Sequence, residues 1–244
     1  MSLLSIQNVS SGYGKMAVLH GINIEVGTGE IVVVVGPNGA GKTTLMRTIF
    51  GLLRPATGQI QFDLTDIGGT DPSIIARSGI GYVPQGVNVF TDLTVWENME
   101  VASLFLQDVK HRIEETLNRF SVLLTRRNQQ AGTLSGGERQ MLAIACAMMG
   151  TPKLLLLDEP STGLAPKMTE AVLEKVLEIN REGSAVIWVV EENPRRIIPH
   201  ANRVYLLESG TIKREGNSRE VLSDNFERLF LGINTEEMVE GKVL

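Results

Sequence analysis

Apolar positions recur along the chain in two rhythms. Short β-branched or Leu-rich runs predict strands at Leu3–Val9, Ile22–Val26, Ile31–Val35, Gln59–Phe62, Ile80–Val83, Leu154–Asp158, Ala185–Val190, Val204–Glu208 and Thr211–Glu215. Longer stretches with helical spacing predict helices at Lys42–Phe50, Thr94–Phe105, Lys110–Leu123, Gly136–Met149, Lys167–Glu182, Pro194–His200 and Ser218–Ser223. The runs Ile31–Val35, Leu154–Asp158 and Ala185–Val190 are apolar on both faces. A strand with no polar face needs cover on both sides, as in a parallel sheet between helices, so the fold class is α/β.

The stretch from about Gln85 to Met141 breaks this alternation, with two or three helices and no convincing strand. It reads as a helical lobe inserted into one domain, whose α/β core comprises about residues 1–84 and 142–244. No linker rich in Pro, Gly or Ser isolates the lobe, so it is expected to pack firmly. The chain shows no internal repeat and no low-complexity segment.

Composition narrows the function classes. The formal net charge is −5, which gives no basic excess for binding nucleic acid. The pairs Arg126–Arg127 and Arg195–Arg196 read as solvated surface. The single cysteine, Cys146, excludes an internal disulfide and lies in the apolar stretch Met141–Met149, where it reads as a core residue. Met1–Val9 has no basic segment followed by an apolar run, so no secretory signal is expected. Apolar runs such as Ile31–Val35 and Leu154–Leu157 fall far short of the roughly 20 residues that span a bilayer. The chain is expected to stay in the cytoplasm unless a partner holds it at a membrane.

Gly36-Pro37-Asn38-Gly39-Ala40-Gly41-Lys42-Thr43 fits G-x-x-x-x-G-K-[ST]. It follows the strand Ile31–Val35 and opens a helix, as a phosphate-binding loop requires. A chance Gly-rich turn is the bland alternative. The glycines let backbone wrap round phosphate oxygens at dihedrals a Cβ would forbid. Successive N–H groups and the helix start then point at the anion, from Gly36 through Thr44. Lys42 supplies positive charge to the β- and γ-phosphates, and the Thr43 hydroxyl reaches Mg²⁺.

Leu134-Ser135-Gly136-Gly137-Glu138-Arg139-Gln140 is a helix start. Ser135 can cap it and Glu138 can complete a capping box. Capping does not explain two adjacent glycines in the first turn, where they weaken a helix. Close approach of an anion to bare N–H groups does.

Here the sequence resembles the ATP-binding cassette family, whose signature reads Leu-Ser-Gly-Gly-Gln/Glu. The resemblance covers essentially the whole chain. It implies a P-loop NTPase fold of cassette type, with a mainly parallel core, an antiparallel β subdomain and the inserted lobe. It also implies ATP and Mg²⁺ as ligands. Two cassettes would pair head to tail, so that Ser135, Gly136, Gly137 and Glu138 of one close on the γ-phosphate held by the other.

The family's other motifs follow in order. Leu154–Glu159 looks like a Walker B strand. Asp158 ends it where a carboxylate can hold Mg²⁺ through water, and Glu159 is placed to deprotonate the attacking water. An Asp-Glu pair at a strand end can also simply cap the next helix, but Pro160 and the upstream signature favour catalysis. Gln85, in Tyr82-Val83-Pro84-Gln85, matches the Q-loop, whose amide reaches Mg²⁺ or the water and senses ATP where the lobe hinges. Tyr13, in Ser11-Gly12-Tyr13-Gly14, matches the aromatic that stacks on adenine. A Tyr beside Gly is otherwise an ordinary packed turn residue.

Two positions depart from the family pattern. Ala165 stands in the D-loop, Ser161–Pro166, where Asp is usual. Glu192 takes the place of the switch histidine in Val190-Glu191-Glu192-Asn193. An ionised Glu192 cannot donate to the γ-phosphate and would repel it, so Glu192 is protonated when ATP is bound, or turns away, or the site hydrolyses slowly; weak turnover by the isolated chain is expected. Turnover should then rise on Glu192→Gln, and an unchanged rate would sink the repulsion idea.

Gly-Leu-Ala-Pro in the D-loop and a non-histidine switch resemble the ATPase subunits of branched-chain amino acid importers, and the related importers of urea and short amides. Phe230-Leu231-Gly232 resembles that subfamily's closing segment, although many members carry Glu at the position of Gln85. The resemblance implies a second cassette of like or unlike chain, membrane-embedded permease subunits and, indirectly, a solute-binding protein, with this chain peripheral on the cytoplasmic face. Around Gln85–Glu100, the apolar Val87, Val89, Phe90, Leu93 and Trp96 can dock a permease helix or pack the lobe against the core. Two other function classes remain. A non-transport cassette would be expected to carry coiled coils or basic extensions, which are lacking. A regulatory cassette with little turnover is disfavoured by Lys42 and Glu159 and kept open by Glu192. A guanine-reading Asn-Lys-x-Asp motif is also lacking.

Overall fold

The computed structural model describes residues 2–86, 88–191 and 193–222. In chain order the strands are β1 (Ser2–Tyr13), β2 (Met16–Gly27), β3 (Ile31–Val35), β4 (Thr57–Phe62), β5 (Thr65–Asp66), β6 (Ile80–Val83), β7 (Leu154–Asp158), β8 (Ala185–Val190), β9 (Arg203–Glu208) and β10 (Thr211–Gly216). The helices are α1 (Lys42–Ile49), α2 (Pro72–Ser78), α3 (Val95–Ala102), α4 (Val109–Arg119), α5 (Ser121–Leu124), α6 (Gly136–Met148), α7 (Pro166–Arg181) and α8 (Ser218–Val221).

Two sheets form. One is antiparallel, in the order β2-β1-β4-β5. The other runs β10-β9-β3-β8-β7-β6, parallel except for the β9–β10 pair. Every residue of β3, β7 and β8 is buried, which is why these runs are apolar throughout except for Asp158 at the end of β7. Alternation splits them between two cores. Val33, Val35, Leu155, Leu157, Val186 and Trp188 face a cluster with α3, α4, α6 and α7. Val32, Val34, Leu154, Leu156, Ile187 and Val189 face a second cluster with α1 and the antiparallel sheet. Burying each such aliphatic side chain contributes about 1.5–3 kcal/mol, so a charge at any of these positions has no water on either side to accept it.

Several elements differ from the sequence expectation. β1 and β2 are longer, because Ser11–Tyr13, with little apolar character, still pairs with Met16–Leu19. The helix expected over Lys110–Leu123 is two, α4 and α5, broken at Phe120 (φ −111°, ψ 68°), whose ring is buried. Pro194–His200 forms two short 3₁₀ turns, each containing a proline, not one helix. Thr94 lies outside α3 as its cap, accepting from the Glu97 N–H. Helix α2 is an addition. Its signal was present, with Asp71 as cap, Pro72 in the first turn and Gly79 left-handed at the end (φ 108°). The expected end of the last helix, Ser223, lies outside the described residues.

Between β6 and β7 the described chain runs through α3, α4, α5 and α6 without a named strand. The last of these passes through residue 141, the expected edge of the lobe, and packs against β6. No helix among the described residues is long and apolar enough to cross a membrane.

Candidate functional site

Parallel strands end at one edge of a sheet, and this edge collects the chemistry. β3 runs into Gly36, β7 into Glu159 and β8 into Glu191. A crevice at the carboxyl ends of such strands is where ligands bind in open α/β sheets.

The Gly36–Thr44 loop is shaped by its glycines. A Cβ on Gly36 would lie 2.1 Å from the Leu207 carbonyl oxygen, a backbone atom that cannot step aside. Gly41 caps α1 at φ 106° with no side-chain cap, so the first N–H groups of that helix are left for a ligand. Gly39 is also left-handed (φ 77°). Pro37, Asn38 and Ala40 complete the turn, with the Ala40 N–H on the Pro37 carbonyl at 3.1 Å. Thr44 is buried on the first turn of α1.

Lys42 is buried and bends back over the loop. Its Nζ donates to the carbonyls of Gly36 (2.9 Å) and Pro37 (3.1 Å). It also lies 3.4 Å from Glu159 Oε1 and 3.4 Å from Glu191 Oε2. Thr43 Oγ1 donates to Asp158 Oδ1 at 3.3 Å, and Tyr82 OH reaches Oδ2 at 3.4 Å. Burial pushes the Asp158 carboxyl up, the Thr43 hydroxyl opposes this, and the neighbouring Glu159 charge adds to it. Burial also raises the Tyr82 hydroxyl, which stays a neutral donor.

Glu159 follows β7 in the left-handed region (φ 51°), unusual for a residue with a Cβ. Its N–H is tied to the Val189 carbonyl at 3.1 Å. Its Oε2 accepts from Gln85 Nε2 at 2.7 Å and from Thr162 Oγ1 at 3.3 Å. The sequence motifs Asp158-Glu159, Lys42-Thr43 and Gln85 therefore converge on one cluster. Strained backbone and an oriented carboxylate suit a general base.

The donor set fits Mg²⁺. A hydroxyl and a buried carboxylate supply two oxygens, and this ion usually takes few protein ligands beside phosphate and water. Among the described residues no cluster of three or more His, Cys, Asp or Glu offers a separate metal cage.

A cleft of about 630 Å³ separates Glu159, Gln85 and Thr162 from Gly136 and Gln140 of the same chain. Across it lies the start of α6. Ser135 caps this helix through the Glu138 N–H (3.4 Å), and Glu138 Oε2 accepts from the Ser135 N–H (2.8 Å). That backbone bond holds the Glu138 carboxyl below its usual range, with Arg126 at 2.9 Å adding to it. The two glycines differ. A Cβ on Gly137 would fall 2.4 Å from Met168 Cε and 2.9 Å from its Cβ, whereas one on Gly136 would meet only Leu164 at 3.6 Å. Packing against α7 therefore explains Gly137, and the anion argument is left to Gly136. Ser135 and Gly136 are exposed.

Tyr13 is 39% exposed at the end of β1, and its hydroxyl accepts from Arg47 at 3.2 Å. Ala165, in the D-loop, is the residue before α7. Cys146 is pushed up to about 12 by burial, which keeps the thiol protonated. Glu192, Val87 and Phe230-Leu231-Gly232 lie outside the described residues.

Of the apolar residues expected at a permease contact, Val89 is buried in the core, Leu93 and Trp96 are half-buried, and Phe90 is exposed. A separate groove of about 360 Å³ is lined by Phe50, Tyr82, Phe105, Leu106 and Ala147 among others. Arg77 stacks on Phe105 at its rim, 4.3 Å from the ring centroid. Sequence reasoning missed this groove, because its residues come from five separate segments. It also missed Thr162, Tyr82 and Glu191, whose partners are distant in sequence.

Comparison with known proteins gives a consistent picture. The family model described as "ABC transporter" matches residues 19–162. BraG of Pseudomonas aeruginosa, a high-affinity branched-chain amino acid transport ATP-binding protein, is 43% identical over 212 residues, covering 86% of this chain and 91% of BraG. LivF of Archaeoglobus fulgidus, a probable branched-chain amino acid transport ATP-binding protein, is 37% identical over 95% of this chain and 99% of its own. LptB of Haemophilus influenzae, a lipopolysaccharide export system ATP-binding protein, is 32% identical over 95% and 98%. Among solved structures, the ADP conformation of the ATP-binding cassette MJ1267 aligns with a TM-score of 0.83 at 27% identity, covering 96% of this chain and 100% of that one. The dimeric cassette MJ0796 bound to ADP and Pi aligns at 0.77 with 26% identity, over 88% and 99%.

Proposed function

The chain belongs to the ABC transporter family of ATP-binding proteins, as an ATPase of P-loop cassette fold, and from that premise we propose that it powers uptake of branched-chain amino acids or a related amide or urea. The observation that carries this reading is the 43% and 37% identity to two proteins named for branched-chain amino acid transport. A second reading, export, rests on the 32% identity to LptB.

In this reading the Gly36–Thr44 cradle takes the phosphates of ATP, and Lys42 swings from its loop carbonyls to the β- and γ-oxygens. Thr43 and Asp158 hold Mg²⁺, with Gln85 nearby. When bound, the ion neutralises phosphate charge and aligns the leaving group. Glu159 takes the proton of the attacking water. Gln85 and Thr162 fix its Oε2, so its orientation does not depend on Lys42. Tyr13 stacks on adenine once released from Arg47. Ser135 and Gly136 serve the γ-phosphate of a second cassette, like or unlike, with Glu138 holding the Ser135 cap and Gly137 seating the helix start on Met168. The exposure of Ser135 and Gly136 supports this reading.

The helical segment α3–α6 moves as a lobe. Gln85 joins it to the core and its amide is bonded to Glu159, so nucleotide state is felt where the lobe hinges. Transmembrane permease subunits seat in the Phe50–Phe105 groove, which places this chain on the cytoplasmic face of the membrane. A solute-binding protein acts through the permease, and nucleic acid plays no part. Proteoliposomes carrying this chain, a permease and a binding protein distinguish the readings. ATP-driven accumulation of labelled leucine, lost on Glu159→Gln, is the expected result. ATP hydrolysis that no branched-chain amino acid, amide or urea stimulates would remove the uptake reading and favour export.

A further inference from the structure

We propose that Glu191 is a built-in counter-ion for Lys42 in the empty cradle, which the phosphates of the nucleotide must displace. The inference rests on the reading of Lys42 as the phosphate-binding lysine.

Only 5% of the Lys42 side chain is exposed, so its ammonium needs oxygen partners inside the protein. It has four: the Gly36 and Pro37 carbonyls at 2.9 and 3.1 Å, and Glu159 and Glu191, each at 3.4 Å. The two carboxylates are not equivalent. Glu159 is 5% exposed, and its second oxygen is held by Gln85 at 2.7 Å and Thr162 at 3.3 Å. It stays in place when the lysine leaves. Glu191 follows the last residue of β8 and keeps 25% of its side chain exposed, so it has water to turn toward.

An arriving phosphate offers oxygens and negative charge to the same ammonium. It replaces Glu191 there and repels it. Nucleotide therefore competes with a carboxylate of the protein, and the affinity is lower than the cradle alone would give. The same competition helps ADP and phosphate leave, because Glu191 pairs with Lys42 again as they depart. Glu191 is thus a positioning residue, acting on phosphate through Lys42.

The test is equilibrium binding of ATP, ADP and adenosine to Glu191→Gln and Glu191→Ser. Both variants should bind ATP and ADP about tenfold more tightly, as expected for removing one like charge beside a partly buried phosphate site. ADP should dissociate more slowly, and adenosine, which has no phosphate, should bind as it does to the parent. Unchanged or weaker ATP binding in both variants overturns the proposal, as does an equal gain for adenosine. Lys42→Ala separates this failure from that of the underlying reading. If Lys42→Ala binds ATP as the parent does, the lysine assignment itself is wrong. If it loses ATP while Glu191→Gln changes nothing, only the counter-ion role falls.

Discussion

The two glycine-rich helix starts of this chain are built in opposite ways. At the start of α1 every charged group already has a partner within the chain: Lys42 on loop carbonyls and two carboxylates, Asp158 on Thr43 and Tyr82, Glu159 on Gln85 and Thr162. At the start of α6 the capping box satisfies the helix end, yet Ser135 and Gly136 remain exposed and meet no anion-binding partner. In the proposed reading the first is a half-site for a phosphate, and the second is completed by the nucleotide of a second subunit, which would account for the difference.

The largest way to break this comparison is Lys42→Ala. It should lower ATP affinity by about 100-fold or more, measured by equilibrium titration, because among the described residues of the cradle no other cation replaces the charge-assisted bonds. Next, Gly137→Ala should destabilise the protein by about 1–3 kcal/mol in chemical denaturation, since the added methyl strikes Met168. Gly136→Ala is its control. Stability should stay within about 0.5 kcal/mol while turnover falls, because only the outward function of Gly136 is touched. Equal destabilisation by both would erase the distinction between the two glycines.

Smaller effects sharpen the picture. Tyr13→Ala should cost about 1–2 kcal/mol in ATP affinity, the scale of one base–aromatic stack, with folding unchanged. Glu138→Ala should cost about 1 kcal/mol of stability at neutral pH through loss of the capping box. The sign of its pH dependence follows from the lowered carboxyl. A group depressed in the folded state contributes above its unfolded pKa, and the contribution is lost as pH falls through the folded value. The difference between parent and variant should therefore shrink below about pH 4, and a constant difference would assign the cap to neutral hydrogen bonding.

Much of this was legible in the sequence, for physical reasons that differ by region. β3, β7 and β8 keep their expected bounds because strands buried on both faces read as unbroken apolar runs, ended in β7 by Asp158, whose carboxylate is hydrogen-bonded. Phosphate loop, Walker B pair and signature were readable because the residue types that define each lie within one short segment. Contacts joining distant segments were not. Glu191 reaches Lys42 across 149 positions and Tyr82 reaches Asp158 across 76, and only the parallel register of the sheet brings them together. Gly137 was read as an anion contact, since nothing local points to Met168 beneath it. Phe120 was read through as helix because its apolar spacing fits α4, while its ring is drawn into the core and breaks the turn.

If Glu159 is the general base, it performs the chemistry in a cradle that binds ATP without it. Single-turnover hydrolysis of Mg·ATP should be compared between the parent and Glu159→Gln, with binding measured on the same samples. ATP binding should be comparable and hydrolysis slower by about 100-fold or more in the variant, the usual scale for a lost general base. Equal hydrolysis rates with equal binding would rule out Glu159 as the base.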